Sequence, residues 1–271
     1  MKKKNYEDLD MTDDFMFGKV MGNKELCREV LETLLEIPID SIEYPEKQRT
    51  INITYSGKSV RLDVYVQDNK GTVYDAEMQR NGEVRHEIGE LPKRCRYYQG
   101  MIDLNSIEKG QTYKELKECY IIFICTFDPF GKGRSKYTFR TTCDEEKDIG
   151  FADGSIKVFY NTKGTKCNVS DDTKQLLNYL ENRECTNELT QKLDAEIIKA
   201  RANEGWRREY MKTLLHDMEE REAGREAGRE EGRERVNHLN SRLAELGRTE
   251  DILKAANDKE YQELLFDEFS L

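Results

Sequence analysis

Long apolar stretches are missing from the 271-residue sequence, and this absence limits the class of protein. No stretch approaches the roughly 18 apolar residues that a membrane-spanning helix needs. The N-terminal Met-Lys-Lys-Lys is followed by acidic and polar residues rather than by the apolar centre of a signal peptide. We therefore expect a cytoplasmic protein that does not contact a membrane.

Residues in metal-binding patterns are also scarce. The sequence has 3 histidines and 7 cysteines, all scattered and without CxxC spacing, so a structural zinc site is not expected. An odd number of scattered cysteines is typical of free thiols in a reducing cytoplasm. We expect no small-molecule cofactor.

Net positive charge is absent as well. The formal net charge is −10, which argues against a protein that coats nucleic acid without specificity. The charge is uneven, however, because residues 91–140 contain ten Lys and Arg against five Asp and Glu. This segment permits a local surface that faces phosphates.

The pattern of apolar residues predicts a mixed sheet flanked by helices, an α/β core over residues 10–183. Residues 119–127, an apolar run rich in β-branched residues, predict a central strand buried on both faces. The other predicted elements are a helix capped by Thr12, a helix over 24–36, a strand region over 41–56, a helix over 83–107 with Pro92 at its start or at a kink, and strands over 135–142 and 155–162.

A helical tail follows the core and divides into a charged linker, 184–235, and a small helical module, 236–271. The linker contains "REAGREAGREEGRER", in which glycines recur every four residues. This repeat is compatible with a flexible charged tether or with a helix whose glycines let another helix approach closely, as in a dimer. The module is compatible with a helical hairpin or with a DNA-binding type of module.

Residues 61–80, "RLDVYVQDNKGTVYDAEMQR", alternate apolar and polar residues on both sides of Asp68-Asn69-Lys70-Gly71, which predicts a β-hairpin. With Lys70 at its centre, Asp63 lies opposite Glu77 and Tyr65 lies opposite Asp75. Opposed side chains have Cβ atoms about 5 Å apart, and like charges at that distance destabilise a sheet.

Two explanations account for the paired acids. Carboxylates this close share a proton or a cation, and Mg²⁺ prefers few carboxylates together with water and phosphate oxygens. Alternatively, both acids lie on a solvated face of the sheet and are balanced by Arg61 and Arg80.

The sequence resembles the PD-(D/E)xK nuclease fold and, more closely, the recombination-promoting nuclease family, also called putative transposases of the PD-(D/E)xK type. The resemblance covers roughly residues 10–180. It rests on Asp63 and on four segments in order: "TDDFMFGKVMGN" (12–23), "DAEMQR" (75–80), "LPKRCRYYQGMIDLNSIEKGQTYKEL" (91–116) and "YIIFICTFDPFGKGRSKYTF" (120–139).

The resemblance implies a restriction-endonuclease-like fold that hydrolyses phosphodiester bonds in DNA with Mg²⁺, or with Mn²⁺. Asp63 and Glu77 would hold the ion together with the backbone carbonyl of Met78, and Asp14 is a further candidate ligand. Asp14 is equally compatible with an acid favoured by the dipole at a helix N-terminus.

The resemblance also suggests residues that contact the substrate. Gln79 stands where such nucleases usually have lysine, so another cation has to supply the positive charge, and Arg94 and Arg96 are the candidates. Arg94 and Tyr98 are four residues apart and share a helix face; this face either contacts the phosphate or has a packing role.

Three functions are consistent with these residues. The first is a Mg²⁺-dependent DNA endonuclease that promotes recombination or cleaves mobile or invading DNA, acting as a homodimer through the helical tail because double-strand cleavage needs two sites. The second is an inactive nuclease fold that binds DNA or protein, as Gln79 and the acidic composition suggest. The third is a nuclease that acts on RNA.

Overall fold

The structure is a computed structural model that describes residues 4–45, 50–51, 60–80, 85–107 and 109–271. It forms two compact units, Met1–Arg207 and Arg208–Leu271. Within the described residues, no helix is long and apolar enough to cross a membrane.

The first unit contains both helices and strands, whereas the second contains helices alone. The helices are α1 (Asp14–Val20), α2 (Lys24–Leu35), α3 (Arg85–Ser106), α4 (Asp171–Asn182), α5 (Glu188–Arg201), α6 (Glu204–Glu245), α7 (Thr249–Asn257) and α8 (Lys259–Phe269). The strands are β1 (Ile42–Glu43), β2 (Thr50–Ile51), β3 (Val60–Arg61), β4 (Val64–Asp68), β5 (Val73–Gln79), β6 (Cys119–Cys125), β7 (Lys136–Phe139) and β8 (Ser155–Asn161).

Six of the strands form one mixed sheet in the order β1-β4-β5-β6-β8-β7, while β2 and β3 pair separately. Strands β5, β6 and β8 are parallel, so their carboxyl ends lie at the same edge of the sheet. The predicted central strand is confirmed, because β6 lies between β5 and β8 and is almost wholly buried. The predicted α/β class with a mixed sheet flanked by helices is confirmed too.

Some predicted element boundaries differ from those observed. The first helix begins at Asp14 after Asp13, not after Thr12, because the Thr12 N–H and Oγ1 donate to Asp10 Oδ1 instead, at 2.8 and 2.5 Å. The second helix ends at Leu35, and Glu36 adopts the left-handed conformation typical of a C-cap. Pro92 lies inside α3 rather than at its start. The predicted strand region 41–56 falls partly outside the described residues.

Helices α4 and α5 belong to the first unit, which extends beyond the predicted core boundary at residue 183. The side chain of Asn187 caps α5 by accepting from the Thr190 N–H at 2.9 Å. The N-terminal segment is tied to the same helix, because Tyr6 Oη donates to the Ala200 carbonyl at 2.6 Å and Arg201 Nη2 donates to the Leu9 carbonyl at 2.7 Å. Residues before α1 thus fix α5 in place beside α1.

The second unit has a small core of its own. Helices α7 and α8 pack against the end of α6 and bury a cluster of apolar side chains: Leu239, Leu243, Ala255, Leu265 and Phe266. Gly247, with φ +72°, occurs between α6 and α7, where a left-handed residue lets the chain reverse. The module is therefore a compact arrangement of helices.

Candidate active site

The hairpin of β4 and β5 has the predicted register. Val64 pairs with Ala76 and Tyr65 pairs with Asp75. At the end of the hairpin, two carboxylates replace the backbone ladder: the Asp63 N–H donates to Glu77 Oε1 at 2.9 Å, and the Met78 N–H donates to Asp63 Oδ2 at 3.2 Å. Asp63 and Glu77 are thus directly adjacent, as predicted.

The acidic face of this hairpin is buried, so the alternative of a solvated sheet face is wrong. Asp75 is 0% and Glu77 is 3% exposed, because helix α3 covers this face with Leu91, Cys95 and Tyr98. Arg80 does not balance the pair either, since it pairs with Asp13. The side chain of Arg61, the other predicted partner, lies outside the described residues.

Burial and like charge together raise the pKa values of these carboxyls. Burial, followed by the charges of Glu77 and Asp14, raises the pKa of Asp63 to about 8. Burial and the charge of Asp75 raise the pKa of Glu77 well above its usual range. Perturbed carboxyls that cluster in this way are typical of functional sites.

Arg94 reaches this cluster from α3. Its Nη1 donates to Gln79 Oε1 at 2.5 Å, its Nη2 donates to Tyr98 Oη at 3.0 Å, and Nη2 lies 3.7 Å from Glu77 Oε2. The guanidinium also lies over the rings of Tyr98 and Phe123, 5.5 and 5.3 Å from their centroids. Arg94 therefore supplies a fixed positive charge beside Gln79, where the sequence lacks lysine.

Residues 11–148, just over half of the chain, match the family described as PD-(D/E)XK nuclease family transposase. The chain belongs to this family. No curated protein and no solved structure matches the chain. The family match agrees with the fold and with a nuclease-like function.

Asp75 was not among the candidate site residues predicted from the sequence, yet it is the most buried member of the cluster. Both its oxygens lack a hydrogen-bond partner among the described residues. Burial, followed by the charge of Asp63, raises its pKa well above the usual range. The alternation of β5 was a sufficient signal, because it places Asp75 on the same face as Glu77 and Gln79.

Asp14 lies at the first position of α1, near Asp63. The α1 helix passes close to this strand, since a Cβ on Gly18 would be 3.7 Å from the Asp63 carbonyl oxygen. Nearby protein atoms displace water from the Asp14 carboxyl and, with the charge of Asp13, raise its pKa, while Arg80 and Arg94 lower it. Asp14 thus borders the cluster and adds to its negative charge.

Arg96 has a different position. It is exposed on α3, and a separation of two residues on a helix turns its side chain about 200° away from that of Arg94. The structure therefore brings Arg94 and Tyr98 to the carboxyls and directs Arg96 away from them.

The oxygen atoms of the carboxyl cluster suit a hard divalent ion. Asp63 and Glu77 each use one carboxylate oxygen on a backbone N–H, and no hydrogen bond from the described residues reaches the second oxygen of Asp63. Within those same residues, no three His, Cys, Asp or Glu side chains converge on one point. Two carboxylates completed by water and phosphate oxygens are the set that Mg²⁺ prefers, and divalent ions are general in PD-(D/E)XK nucleases.

Proposed function

We propose that the protein is a metal-dependent DNA endonuclease that hydrolyses phosphodiester bonds and thereby promotes recombination or cleaves mobile or invading DNA. The observation that supports this most strongly is the pair formed by half-buried Asp63 and buried Glu77, with Arg94 beside it. The charge of Arg94 acts on the carboxyls of Asp63, Asp75 and Glu77, so the cluster gains from a bound cation. The family assignment supports the same chemistry.

In this proposal Asp63 and Glu77 would hold Mg²⁺, or Mn²⁺, with the Met78 carbonyl as a further ligand and Asp14 acting through water. When bound, the ion polarises the scissile phosphate and lowers the pKa of the attacking water. Arg94 neutralises phosphate charge from the fixed position that Tyr98 and Gln79 give it. Gln79 accepts from Arg94 and orients a water or a phosphate oxygen through its amide NH₂, because glutamine cannot take up a proton.

Cleavage of supercoiled plasmid tests this proposal. Wild-type protein is compared with Asp63→Asn and Glu77→Gln in Mg²⁺, Mn²⁺, Ca²⁺ or EDTA, and calorimetric titration with Mn²⁺ measures metal binding separately. Glu118→Gln is the matched control, since Glu118 is exposed and precedes β6 at the opposite edge of the sheet. We expect cleavage that requires a divalent ion and falls by at least about 100-fold in both site variants but not in the control.

The second candidate function is a binding module without catalysis. The glutamine at position 79, where such nucleases usually have lysine, favours it. It predicts a folded protein that binds DNA or a protein partner but does not cut plasmid with any ion. It also predicts that Asp63→Asn leaves the binding of DNA or of the protein partner unchanged. An RNA substrate is distinguished by running structured RNA beside the plasmid.

We further infer that the protein is a cytoplasmic homodimer joined through α6. All seven cysteines are free, and a reducing compartment keeps thiols in that state. Met211, Leu215 and Met218, which are 48%, 57% and 62% exposed, lie on one face of α6, and Gly224, Gly228 and Gly232 leave open space beside the helix. Such an apolar face on a long polar helix suits a second copy of the same helix.

Light scattering of the full chain tests this arrangement. Met211→Glu with Leu215→Glu should convert the dimer to a monomer, because two charges would be buried in the interface. Thr213→Glu with His216→Glu, on the opposite face of α6, is the control and should remain dimeric. A wild-type monomer, or a dimer insensitive to both pairs, would contradict the inference.

A further inference from the structure

Two loops follow the parallel strands at the edge of the sheet where the carboxyl cluster lies. Residues 126–135 follow β6 and residues 162–170 follow β8. The first loop begins beside the site, because the Thr126 N–H donates to the Gln79 carbonyl at 3.0 Å. The second begins one strand further along, where the Thr162 N–H donates to the Cys125 carbonyl at 3.0 Å.

The charge of these loops differs from that of the rest of the chain. Residues 126–135 and 162–170 contain four Lys and Arg and one Asp, a net charge of +3, within a chain of net charge −10. At the opposite edge, residues 107–118 and 140–154 contain five Lys and Arg and eight Asp and Glu, a net charge of −3. Positive charge is thus concentrated at the edge that holds the carboxyl cluster.

Asp128 is the one acid in residues 126–135 and 162–170, and its carboxylate stabilises the loop that contains it. The carboxylate of Asp128 accepts from the backbone N–H groups of Phe130 at 3.1 Å and Gly133 at 2.6 Å, and from Tyr137 Oη at 2.8 Å. These bonds lower the pKa of Asp128 against the opposing effect of burial. The carboxylate is therefore directed at the loop backbone and not at the lysines.

Backbone hydrogen bonds join the loop after β6 to the loop after β8. The Lys166 N–H donates to the Gly133 carbonyl at 2.7 Å, and the Ser135 N–H donates to the Lys166 carbonyl at 3.3 Å. A Cβ on Gly164 would stand 2.6 Å from the Cα of Ser135, so only glycine permits this approach. The loops consequently form one rigid surface.

Three exposed cations extend from this surface: Lys132, Arg134 and Lys166. We call these three residues the cation platform. In the described part of the chain, none of the three side chains forms an ion pair, whereas Lys163 in the same loop pairs with Glu181 at 3.6 Å. Exposed cations without protein partners are free to neutralise phosphates.

The platform and the carboxyl cluster lie on the same face of the sheet. Phe130, beside the platform, contacts Phe159 with ring centroids 5.0 Å apart, and Phe159 stacks on Phe123 at 5.5 Å. Phe123 in turn lies beneath Arg94. A continuous row of aromatic rings therefore connects the base of the cationic loop with the floor of the site.

We propose that the cation platform, Lys132, Arg134 and Lys166, binds the phosphate backbone of duplex DNA beside the bond to be cleaved. This inference rests on the proposed nuclease function and extends it to a substrate-binding surface. Strands lie about 4.8 Å apart, so β8 is about 10 Å from β5. One DNA strand advances about 3.4 Å per nucleotide, which places the contacted phosphates roughly three nucleotides from the scissile one.

The test measures binding of a fluorescent 30-base-pair duplex over a series of salt concentrations, in EDTA so that cleavage plays no part. Lys132→Gln/Arg134→Gln/Lys166→Gln is compared with the control Lys109→Gln/Lys114→Gln/Lys117→Gln. Both triple variants lower the net charge by three, but the control lysines are exposed at the opposite edge. Thermal unfolding confirms that both variants are folded.

Loss of three phosphate contacts should reduce the slope of log K against log salt by about 3 and weaken binding at low salt by at least about tenfold. The control should keep the wild-type slope. An equal loss in both variants would show an effect of net charge alone, and either that result or unchanged binding in the platform variant would overturn the proposal. Wild-type protein that does not bind the duplex would overturn it as well.

This experiment separates the platform from catalysis. If binding depends on the platform but plasmid is not cut with any divalent ion, the surface stands and the proposed cleavage fails. If plasmid is cut and both triple variants bind as the wild type does, the cleavage stands and the surface fails.

Discussion

The sheet edge and the long helix α6 hold charge in opposite ways. At the sheet edge, Asp75 and Glu77 are almost fully buried, and Asp75 has no hydrogen-bond partner among the described residues. On α6, the paired side chains of Glu230 and Arg233 are 59% and 70% exposed, 3.1 Å apart. Both regions are rich in acids, yet only the first places them where water cannot solvate them.

The difference in burial between the two regions shows which charged groups indicate function. An exposed ion pair contributes about 0–1 kcal/mol and tolerates substitution. A buried carboxyl without a partner destabilises the fold by about 1–3 kcal/mol, and a protein retains such a group where its chemistry is needed. The carboxyl cluster therefore identifies the site more strongly than the much larger number of charges on the tail.

The largest effect in this comparison is expected from the one cation among the buried acids. Arg94→Met removes the bonds to Gln79 and Tyr98 and the ion pair with Glu77. We expect DNA cleavage to fall about 100-fold, which corresponds to roughly 2.7 kcal/mol. Single-turnover cleavage rates measure the change.

A second substitution tests the reason for this loss. Gln79→Lys in the Arg94→Met background returns a positive charge to the position beside Glu77 and should recover part of the lost rate. Arg96→Met, which removes an exposed cation from the other side of α3, is the control and should change the rate less than twofold. Equal losses in Arg96→Met and Arg94→Met would contradict the assignment.

Removing a buried acid should stabilise the metal-free protein. Asp75→Val replaces a buried carboxyl, whose neighbours on the adjacent strands are Tyr65 and Ile121, with an apolar side chain. We expect the free energy of unfolding in EDTA to rise by about 1–3 kcal/mol, because an unsatisfied polar group leaves the core. Urea denaturation measures this change, and a loss of stability would show that Asp75 has a structural partner.

The pH dependence of stability should also distinguish the two regions. The Asp63 pKa rises from about 3.9 in the unfolded chain to about 8 in the fold, so the folded state binds more protons between these values. Its contribution is fully present below about pH 4 and is lost as the pH rises toward 8. We expect urea denaturation in EDTA to show stability falling from pH 5.5 to 8.

Two comparisons sharpen this pH prediction. Asp63→Asn should make the slope shallower, because one of the carboxyls with raised pKa values is gone. Addition of Mn²⁺ should stabilise the wild type more at pH 8 than at pH 5.5, because metal binding requires the ionised carboxylates. A slope that Asp63→Asn leaves unchanged would mean that other groups account for it.

Much of this site was predictable from the sequence because strand alternation is strict. The Asp68-Asn69-Lys70-Gly71 turn and the alternation on both sides fixed the hairpin register, and Gly71 has the positive φ, +85°, that the turn requires. Placing Asp63 beside Glu77 needed nothing more. The four-residue spacing of Arg94 and Tyr98 likewise predicted that their side chains lie on the same face of the helix.

The burial of the acids was not predictable in the same way. A strand that alternates apolar and polar residues ordinarily has a solvated polar face, and only the tertiary packing of α3 shows that this face is covered. Asp75 was overlooked for the same reason, because on a solvated face it would have been an ordinary surface acid. Arg96 shows the converse, because its separation of two residues from Arg94 on a predicted helix already indicated that it points the other way.

The smallest effect is expected on α6. Glu230→Ala removes the pair with Arg233 and introduces a better helix former at an exposed position, so the free energy of unfolding should change by less than about 0.5 kcal/mol. Urea denaturation at several protein concentrations measures it. A loss above about 1 kcal/mol that grows with concentration would mean that this glutamate is buried against a second copy of the chain. The charges of α6 would then resemble those of the sheet edge, desolvated and functional, and the contrast between the two regions would hold only for the isolated chain.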